Sequence, residues 1–221
     1  MPIFFIMNIG QQKQQILEEG LKHVPFDGWT VETFETACGA LEIDKELVIA
    51  LFPRGEADLL DYFAQWADQQ MMDALQSVNT GDLKIRATIR TAVEKRIEIL
   101  SPHKEAVRMA FKKLMLPQYA RLGAKITWRT ADVIWTWAGD QSTDYNRYTK
   151  RGLLSGVIGA TMTYWLQQND DADHAKTFAF LNNRIENVVA IGQSTSKIIK
   201  PVEGFINGVI KPTIKSKMGK I

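Results

Sequence analysis

Residues 135–151 read Trp135-Thr-Trp-Ala-Gly-Asp-Gln-Ser-Thr-Asp-Tyr-Asn-Arg-Tyr-Thr-Lys-Arg151 and mark a junction between two helices. Glycine is common at the end of a helix, so Gly139 predicts that the first helix ends there. The polar run after it offers side-chain oxygens that can cap the start of the second helix. Beyond this turn, helical spacing predicts a polar stripe of Asp144, Arg147, Tyr148 and Arg151. From spacing alone, the stripe is either a solvated set of pairs on one helix or a surface that a partner recognises.

Helical patterning extends from this junction in both directions along the chain. Apolar residues recur at helical spacing between short turn signals, and no stretch alternates with period two long enough to predict a sheet. The sequence therefore predicts an all-α fold of about nine or ten helices. We expect helices near residues 8–23, 30–40, 44–52, 55–77, 82–99, 103–115, 118–137, 143–168 and 173–192.

The first part of the chain has the layout of a helix-turn-helix. The run Gly28-Trp-Thr-Val-Glu-Thr-Phe34 opens a helix, residues 37–43 make a tight connection, and Asp44 caps a short helix that ends before Pro53. Cys38 falls at the helix contact, where we expect a small buried side chain. A short head before a longer ligand-binding and dimerising helical body resembles the tetracycline-repressor-like regulators. We expect a head over residues 1–54, a body over 55–195 and a tail over 196–221.

The distribution of charge argues against DNA binding by this head. Residues 27–61 hold nine acidic and two basic side chains, whereas residues 84–129 hold twelve basic and three acidic ones. The candidate recognition segment, residues 44–51, carries two acids and one base. Because affinity for a phosphate backbone comes mainly from lysine and arginine, we expect no nucleic-acid partner.

The sequence offers no recognisable catalytic or metal-binding set. The single cysteine excludes an intramolecular disulfide, and the three histidines lie far apart in sequence. The nearest fragment of a di-iron motif is Asp171-x-x-His174, which is typical of a helix N-terminus. With no phosphate-binding glycine loop or nucleophile elbow, we expect a protein without cofactor or metal that binds rather than catalyses.

Targeting signals are also missing from the sequence. No apolar run approaches the roughly 20 residues that span a bilayer, and the start at Met1 lacks the charged region and cleavage site of a signal peptide. We therefore expect a cytoplasmic compartment and a bacterial origin.

Large, adaptable apolar side chains fill the middle of the chain. Met109, Met115, Trp128 and Trp135 are candidates to line a cavity for a flexible lipid or isoprenoid, because methionine and tryptophan repack around irregular shapes. A plain bundle core is the alternative interpretation. Further on, Gly152, Gly156 and Gly159 share one face of a predicted helix, which fits either a dimer interface or a ligand wall.

The tail contains a short amphipathic segment between Pro201 and Pro212. Its apolar residues share one helical face, and lysines at positions 197, 200, 211, 215 and 217 flank it. This pattern predicts binding to an anionic membrane surface, with docking on its own bundle or on a dimer mate as the alternative. The expected membrane-binding residues are Val202, Phe205, Ile206, Val209 and Ile210.

Longer motifs carry a resemblance to a known family. The run Ala138-Gly-Asp-Gln-Ser-Thr-Asp-Tyr-Asn-Arg-Tyr-Thr-Lys-Arg151, with Asp132-Val-Ile-Trp135 before it and Phe180-Leu-Asn-Asn-Arg-Ile185 after it, closely resembles the coenzyme Q (ubiquinone) biosynthesis accessory family, the ninth member of that series. The resemblance covers nearly the whole chain, including Gly28-Trp29 and Leu51-Phe-Pro53. It implies a tetracycline-repressor-like fold without DNA binding, arranged as a homodimer.

The resemblance also implies a function and partners. Family members hold lipids and aromatic isoprenes, sit on the membrane through the C-terminal amphipathic helix, and present ubiquinone intermediates to the di-iron demethoxyubiquinone hydroxylase. The implied location is peripheral, on the inner face of a bacterial cell membrane, or on the mitochondrial matrix side for a processed form. The remaining alternatives are a ligand-responsive transcriptional regulator and a helical scaffold without ligand.

By motif position, the implied hydroxylase surface is Asp144, Tyr148 and Arg151. Arg151 is also the implied contact for a phospholipid headgroup, which its five-donor fork would suit. At position 147 the family commonly has tryptophan, whereas this chain has Arg147. An arginine there predicts a partner contact that depends more on electrostatics.

Overall fold

The computed structural model describes residues 9–81, 83–143 and 145–188, and every regular element within them is helical. This confirms the all-α prediction. The helices are α1 Ile9–Asp27, α2 Val31–Ala40, α3 Glu46–Leu51, α4 Glu56–Leu75, α5 Ile85–Leu100, α6 Lys104–Leu114, α7 Ala120–Trp137 and α8 Tyr145–Gln167, with a 3-10 turn at Ser101–His103 before α6. Residues 175–188 form a further helix, α9. The predicted tail segment lies outside the described residues.

The head consists of α1, α2 and α3, and local signals set its boundaries. Gly28 has a φ of 81° and ends α1, and the Thr30 hydroxyl caps α2 by accepting the Thr33 N–H at 3.2 Å. Asp44 accepts the Glu46 N–H at 3.0 Å at the start of α3, as predicted. The predicted end of α1 at residue 23 is wrong, because the last turn of the helix includes Pro25.

Trp29 joins the head to the body. Its side chain is buried, and its ring lies 5.6 Å from Phe34 in the head and 5.0 Å from Phe63 in α4, centroid to centroid. The indole N–H donates to the carbonyl oxygen of Ala106 in α6 at 2.9 Å. Lys113, also in α6, donates to the Trp29 carbonyl at 2.7 Å. Head and body therefore share one continuous core across the predicted boundary near residue 54.

The body is built around α4, which packs against α5 and α7, while α7 lies along α8. Asp61 and Asp68 lie on the same side of α4 and are both buried. Asp68 accepts hydrogen bonds from Arg96 of α5 and from Thr130 of α7, the latter at 2.9 Å.

Asp61 makes the corresponding contacts with Lys125 and Arg129 of α7, at 2.9 and 2.5 Å. Burial acts to raise the pKa of Asp61, but the hydrogen bonds from Arg129 and Lys125 outweigh it and lower that pKa below its ordinary value. We call Asp61, Asp68, Arg96 and Arg129 the buried charge network. It fixes the positions of α4, α5 and α7 relative to one another, because a shift of one helix would leave a buried charge without its partner.

Candidate functional site

The junction between α7 and α8 has the geometry that its sequence predicts. Gly139 has a φ of 81°, and its N–H donates to the Thr136 carbonyl at 3.0 Å. The next N–H, of Asp140, reaches back to the Trp135 carbonyl at 3.0 Å, which completes a Schellman motif. Asp144, the first member of the predicted polar stripe, lies outside the described residues.

Arg151 is buried at this junction, with 2% of its side chain exposed. Its Nε donates to the Asp132 carboxylate on α7, and its Nη1 donates to the Asp140 carboxylate at 3.0 Å. Burial disfavours the charged form, but the hydrogen bonds that Arg151 donates to Asp132 and Asp140 outweigh it and raise the pKa of Arg151. Arg151 is therefore a structural cation here, and its fork is occupied by carboxylates of its own chain.

Lys150 completes the arrangement from the other side of Asp140. Its ammonium donates to Asp140 at 2.6 Å and to the Ser142 hydroxyl at 2.7 Å. Burial acts to raise the pKa of Asp140, but the hydrogen bonds from Lys150, Ser142 and Arg151 hold it well below its ordinary value. We call Asp132, Asp140, Lys150 and Arg151 the junction clamp.

Trp135 is held beside the junction clamp. Its indole N–H donates to the Lys150 carbonyl at 3.1 Å, and the Lys150 ammonium lies 5.4 Å from its ring centroid. Both contacts tie the end of α7 to the start of α8. Trp135 therefore stabilises the junction between α7 and α8.

An exposed aromatic face adjoins the junction clamp, formed by Trp128, Tyr145 and Tyr148. Their exposed fractions are 37%, 77% and 62%, and the Trp128 and Tyr148 rings lie 6.2 Å apart. Arg147 stands beside Tyr148 in sequence with 43% of its side chain exposed, and it donates to Asp132 at 3.1 Å. Among its described members, the predicted stripe thus divides into a buried residue, Arg151, a partly exposed one, Arg147, and an exposed one, Tyr148.

A cavity of about 370 Å³ lies between α4, α5, α6, α7 and α8. This volume falls within the range of about 300–1,000 Å³ that is usual for small-molecule sites. Its wall is largely apolar and includes Leu60, Phe63, Ala64, Ala67, Leu100, Val107, Ala110, Phe111, Leu114, Met115, Gly123, Ala124, Ile126, Ile158, Gly159 and Met162.

Of the residues predicted to hold a lipid, Met115 lines this cavity. Met109, Trp128 and Arg151 are not in its wall, and Trp135 lines a smaller cavity instead. Helical phase is the reason on α7, where residues 123, 126, 127 and 130 face the cavity and position 128 points to another side. Met109 is likewise on another face of α6 and approaches Gly28.

Small residues create the cavity, and they are not among the residues predicted to line it. Ala64 and Ala67 on α4, Ala110 on α6, and Gly123 and Ala124 on α7 line the space. Each leaves room where a larger side chain would fill the gap between helices. The spacing of three residues between Ala64 and Ala67 on α4 is the signal that could have indicated a cavity wall.

Polar groups in the cavity wall are already engaged with the protein. The Thr127 hydroxyl donates to the Gly123 carbonyl at 2.9 Å, and the Ser155 hydroxyl donates to the Arg151 carbonyl at 2.8 Å. Thr130 and Arg96 both donate to Asp68. Because these donors are satisfied internally, the wall suits a hydrocarbon chain better than a polar headgroup.

The glycines of α8 divide between two environments. Gly159 lines the main cavity, whereas Gly152 and Gly156 are exposed. A methyl group added at Gly156 or Gly159 would meet no atom within 4 Å. The ligand-wall interpretation therefore fits Gly159.

A smaller apolar cavity of about 210 Å³ lies between α5, α8 and α9, beside Trp135 of α7. Its wall includes Ile89, Trp135, Leu153, Leu154, Val157 and Ile185.

Other predicted features can be placed in the same structure. Cys38 is fully buried, and burial raises the pKa of its thiol.

Asp171 accepts the Lys176 and Thr177 N–H groups at 2.9 Å, so it caps α9 as the sequence predicts. Within the described ranges, no group of histidine, cysteine and carboxylate side chains could hold a metal ion.

No helix in the described part of the chain combines the length and apolar character needed to cross a bilayer.

Comparison with known proteins gives two kinds of similarity. Residues 120–192 match the family described as COQ9. The mitochondrial ubiquinone biosynthesis protein COQ9-A of Xenopus laevis is 31% identical over 215 residues, which cover 94% of this chain and 67% of that protein. The mitochondrial COQ9 protein of Homo sapiens is 27% identical over 214 residues, which cover 94% of this chain and 67% of that protein.

Among solved structures, the similarity is to transcriptional regulators. A TetR regulator from Nitrosomonas europaea superposes with a TM-score of 0.65 at 14% identity, covering 81% of this chain and 98% of that one. A TetR-family protein from a Shewanella species gives a TM-score of 0.51 at 15% identity, covering 80% and 96%. These similarities show the predicted tetracycline-repressor-like fold and nothing about DNA.

Proposed function

Because this chain belongs to the COQ9 family of ubiquinone biosynthesis proteins, we propose that it is a non-catalytic accessory protein that holds an isoprenoid or other lipid for that pathway. The observation that carries the proposal is the cavity of about 370 Å³ lined by α4 to α8. Its apolar wall and internally satisfied polar groups suit the hydrocarbon part of a quinone intermediate. The quinone ring or a phospholipid headgroup would then remain near the mouth of the cavity.

A pair of matched glycine substitutions tests lipid binding. Gly159→Phe places a ring in the cavity, whereas Gly156→Phe adds the same ring to the exposed side of the same helix. Both changes remove a helix-destabilising glycine, so their effects on α8 itself should be similar. The measurement is mass spectrometry of lipids extracted from the purified chain and from each variant.

We expect co-purifying lipid in the original chain and in Gly156→Phe, and its loss in Gly159→Phe. Absence of lipid from the original chain would contradict the proposal. Equal lipid in both variants would show that the lipid binds elsewhere.

The proposed partner of the loaded protein is the di-iron demethoxyubiquinone hydroxylase, and the exposed aromatic face is the proposed contact. Trp128, Tyr145 and Tyr148 supply rigid aromatic rings, which are typical of energetically important interface residues. Arg147 adds a partly exposed cation beside them. Arg151 would affect this contact indirectly, because the junction clamp holds the start of α8 in place.

Peripheral membrane association through residues 196–221 is part of the same proposal. The five apolar residues and flanking lysines of the tail support it, because both would favour an anionic bilayer surface. Deletion of residues 196–221 should then reduce flotation with anionic liposomes, and unchanged flotation would contradict this role. The proposed location is the inner face of a bacterial membrane, or the matrix side in a mitochondrion. The relatives named above are mitochondrial proteins.

We propose that nucleic acid is not a partner, despite the shared fold. In the head, α3 is short and begins with Glu46, and the two residues before it are Asp44 and the cation Lys45. A phosphate backbone would be repelled there. A gel-shift experiment at low salt, with the purified protein and fragments of its own promoter region, should show no complex.

A further inference from the structure

The smaller cavity, between α5, α8 and α9, reaches the surface as an apolar groove. Two of its wall residues are exposed, Ile85 by 48% and Leu153 by 36%. The rest of its apolar wall is buried or half-buried and comprises Ile89, Trp135, Leu154, Val157, Ile185 and Val188. We call this surface the α5–α9 groove. It offers a place where another apolar group can be buried.

The α5–α9 groove is small for a ligand site. Its volume of about 210 Å³ lies below the range of about 300–1,000 Å³ that is usual for small-molecule sites. A space of this size suits the anchoring side chains of an amphipathic helix, which enter a groove from one helical face. Size therefore favours a polypeptide segment over a small molecule.

The charged residues of the groove are already compensated by partners in the chain. Arg86 of α5 pairs with Glu186 of α9 at 2.9 Å, and Lys150 pairs with Asp140 at 2.6 Å. A segment flanked by lysines would therefore not meet an isolated positive charge there.

The chain itself leads from this groove towards the tail. Val188 lines the groove and is the last residue of α9 that the structure describes. Thirteen residues lie between Val188 and Val202, and they can span up to about 45 Å when extended. The amphipathic tail segment can therefore reach any part of the groove. Its attachment also keeps it near the groove at a roughly millimolar effective concentration, so a weak contact is enough.

We propose that residues 201–212 of the same chain dock in the α5–α9 groove when no membrane is present, with Phe205 at the centre of the contact. A helix as short as this segment is not stable alone in water, so its apolar face needs a surface that covers it. Without a bilayer, the groove is that surface. The docking requires no lipid in the main cavity, whereas its release by a bilayer rests on the proposed membrane association of the tail.

Docking in the groove would place the tail beside the junction between α7 and α8. Trp135 lines the groove and donates to the Lys150 carbonyl at 3.1 Å, and Lys150 belongs to the junction clamp. Transfer of the tail to a bilayer would uncover this part of the wall. The tail would then be a cover that membrane binding removes from one side of the junction.

Paired cysteines test the contact in the full chain. Leu153→Cys with Phe205→Cys puts one thiol in the groove and one on the apolar face of the tail, while the buried Cys38 has a raised pKa and reacts slowly. Leu153→Cys with Asn207→Cys is the matched control, because position 207 lies on another face of a helix from position 205. Thr163→Cys with Phe205→Cys, further along α8, is the second control. Mild oxidation without lipid, followed by mass spectrometry of the peptides, measures each disulfide.

We expect the disulfide between positions 153 and 205, within one chain, to be several-fold more abundant than in either control. Similar yields in all three pairs would overturn the proposal, because the tail would then have no preferred place on the body. A disulfide that forms only between two chains, seen at twice the mass, would also overturn it, since the occupant would be the tail of a second copy.

Competition with a bilayer gives a second measurement. Leu153→Gln makes the groove more polar and should strengthen binding to vesicles of phosphatidylcholine and phosphatidylglycerol by about threefold or more, because less of the tail is then held on the body. Ile49→Gln, at a 59% exposed apolar position in the head, is the control and should have little effect. After deletion of residues 196–221, Leu153→Gln should have no effect either. Binding of the original chain and Leu153→Gln with equal affinity would contradict the competition.

The docking and the membrane association of the tail fail in distinguishable ways. If the disulfide between 153 and 205 forms preferentially but neither the original chain nor Leu153→Gln binds vesicles, the docking stands and the membrane association is wrong. If the chain binds vesicles but the three cysteine pairs give equal yields, the membrane association stands and the docking is wrong.

Discussion

The Arg151 guanidinium donates a 3.0 Å hydrogen bond to the Asp140 carboxylate, and both side chains are almost completely buried, at 2% and 5% exposure. This ion pair joins the start of α8 to the residue that follows the Schellman motif of α7. The Arg151–Asp140 ion pair is therefore a structural contact within the sequence motif that carries the family resemblance.

Acid should weaken the junction clamp. The pKa of Asp140 is lowered in the folded protein from an ordinary value of 3.8, so its stabilising effect is complete above that value and is lost as the pH falls below it. We expect Asp140→Asn to lower the free energy of unfolding by about 1–3 kcal/mol at neutral pH, and the difference from the original chain to shrink toward pH 3. Urea unfolding at both pH values measures this. If the stability difference between Asp140→Asn and the original chain did not change with pH, the stabilising role of the ionised Asp140 carboxylate would be contradicted.

Binding to the proposed hydroxylase partner should depend on salt and on the exposed aromatic face. With arginine rather than tryptophan at position 147, we expect the amount of complex recovered in a pull-down to fall steeply as salt rises. Tyr148→Ala should weaken the complex by about 1–2 kcal/mol or more, because it removes an exposed aromatic ring from the proposed contact. Ile49→Ala, at an exposed position in the head, serves as the control. A complex insensitive to both salt and Tyr148→Ala would place the contact elsewhere.

The buried charge network should be costly to break and tolerant of complete replacement. Asp68→Ala leaves Arg96 buried without its partner, and we expect a loss of about 3–5 kcal/mol in the free energy of unfolding. Asp73→Ala, at an exposed carboxylate of the same helix, should change it by less than about 0.5 kcal/mol. The double variant Asp68→Leu with Arg96→Met should recover most of the loss. Similar stability of the Asp68→Ala and Asp73→Ala variants would refute the network's role.

Two glycines of the head should respond in opposite directions to the same substitution. A methyl group at Gly20 in α1 would collide with the Phe34 ring, whereas one at Gly39 in α2 meets nothing within 4 Å. We expect Gly20→Ala to destabilise the protein by about 1–3 kcal/mol and Gly39→Ala to stabilise it by about 0.5–1 kcal/mol. Thermal unfolding of the two variants compares them directly, and a stabilising Gly20→Ala would show that α1 and α2 are not in close contact.

Features with local causes could be predicted from the sequence. Gly139 ends α7 through a Schellman motif, and Asp171 caps α9, because both depend on residues only a few positions away. Helix α1 continues through Pro25 to Asp27, beyond the predicted end, although proline lacks the N–H that the helix hydrogen bonds require.

Features that depend on how helices face one another could not be predicted in the same way. The burial of Arg151 requires Asp132 and Asp140, which lie 19 and 11 residues away and meet it only after α7 and α8 have packed. Likewise, Trp128 suggested a cavity by its size, whereas the actual cavity comes from alanines and glycines whose facing partners are set by tertiary packing.

Helix α6 serves two parts of the molecule at once. One side of it supplies Val107, Ala110, Phe111 and Leu114 to the cavity wall, and its backbone at Ala106 receives the indole of Trp29 from the head. Any displacement of α6 that enlarges the cavity must therefore either break this hydrogen bond or carry the head along. The head thus restricts the movement of α6, so the volume of the cavity depends on a segment that does not line it.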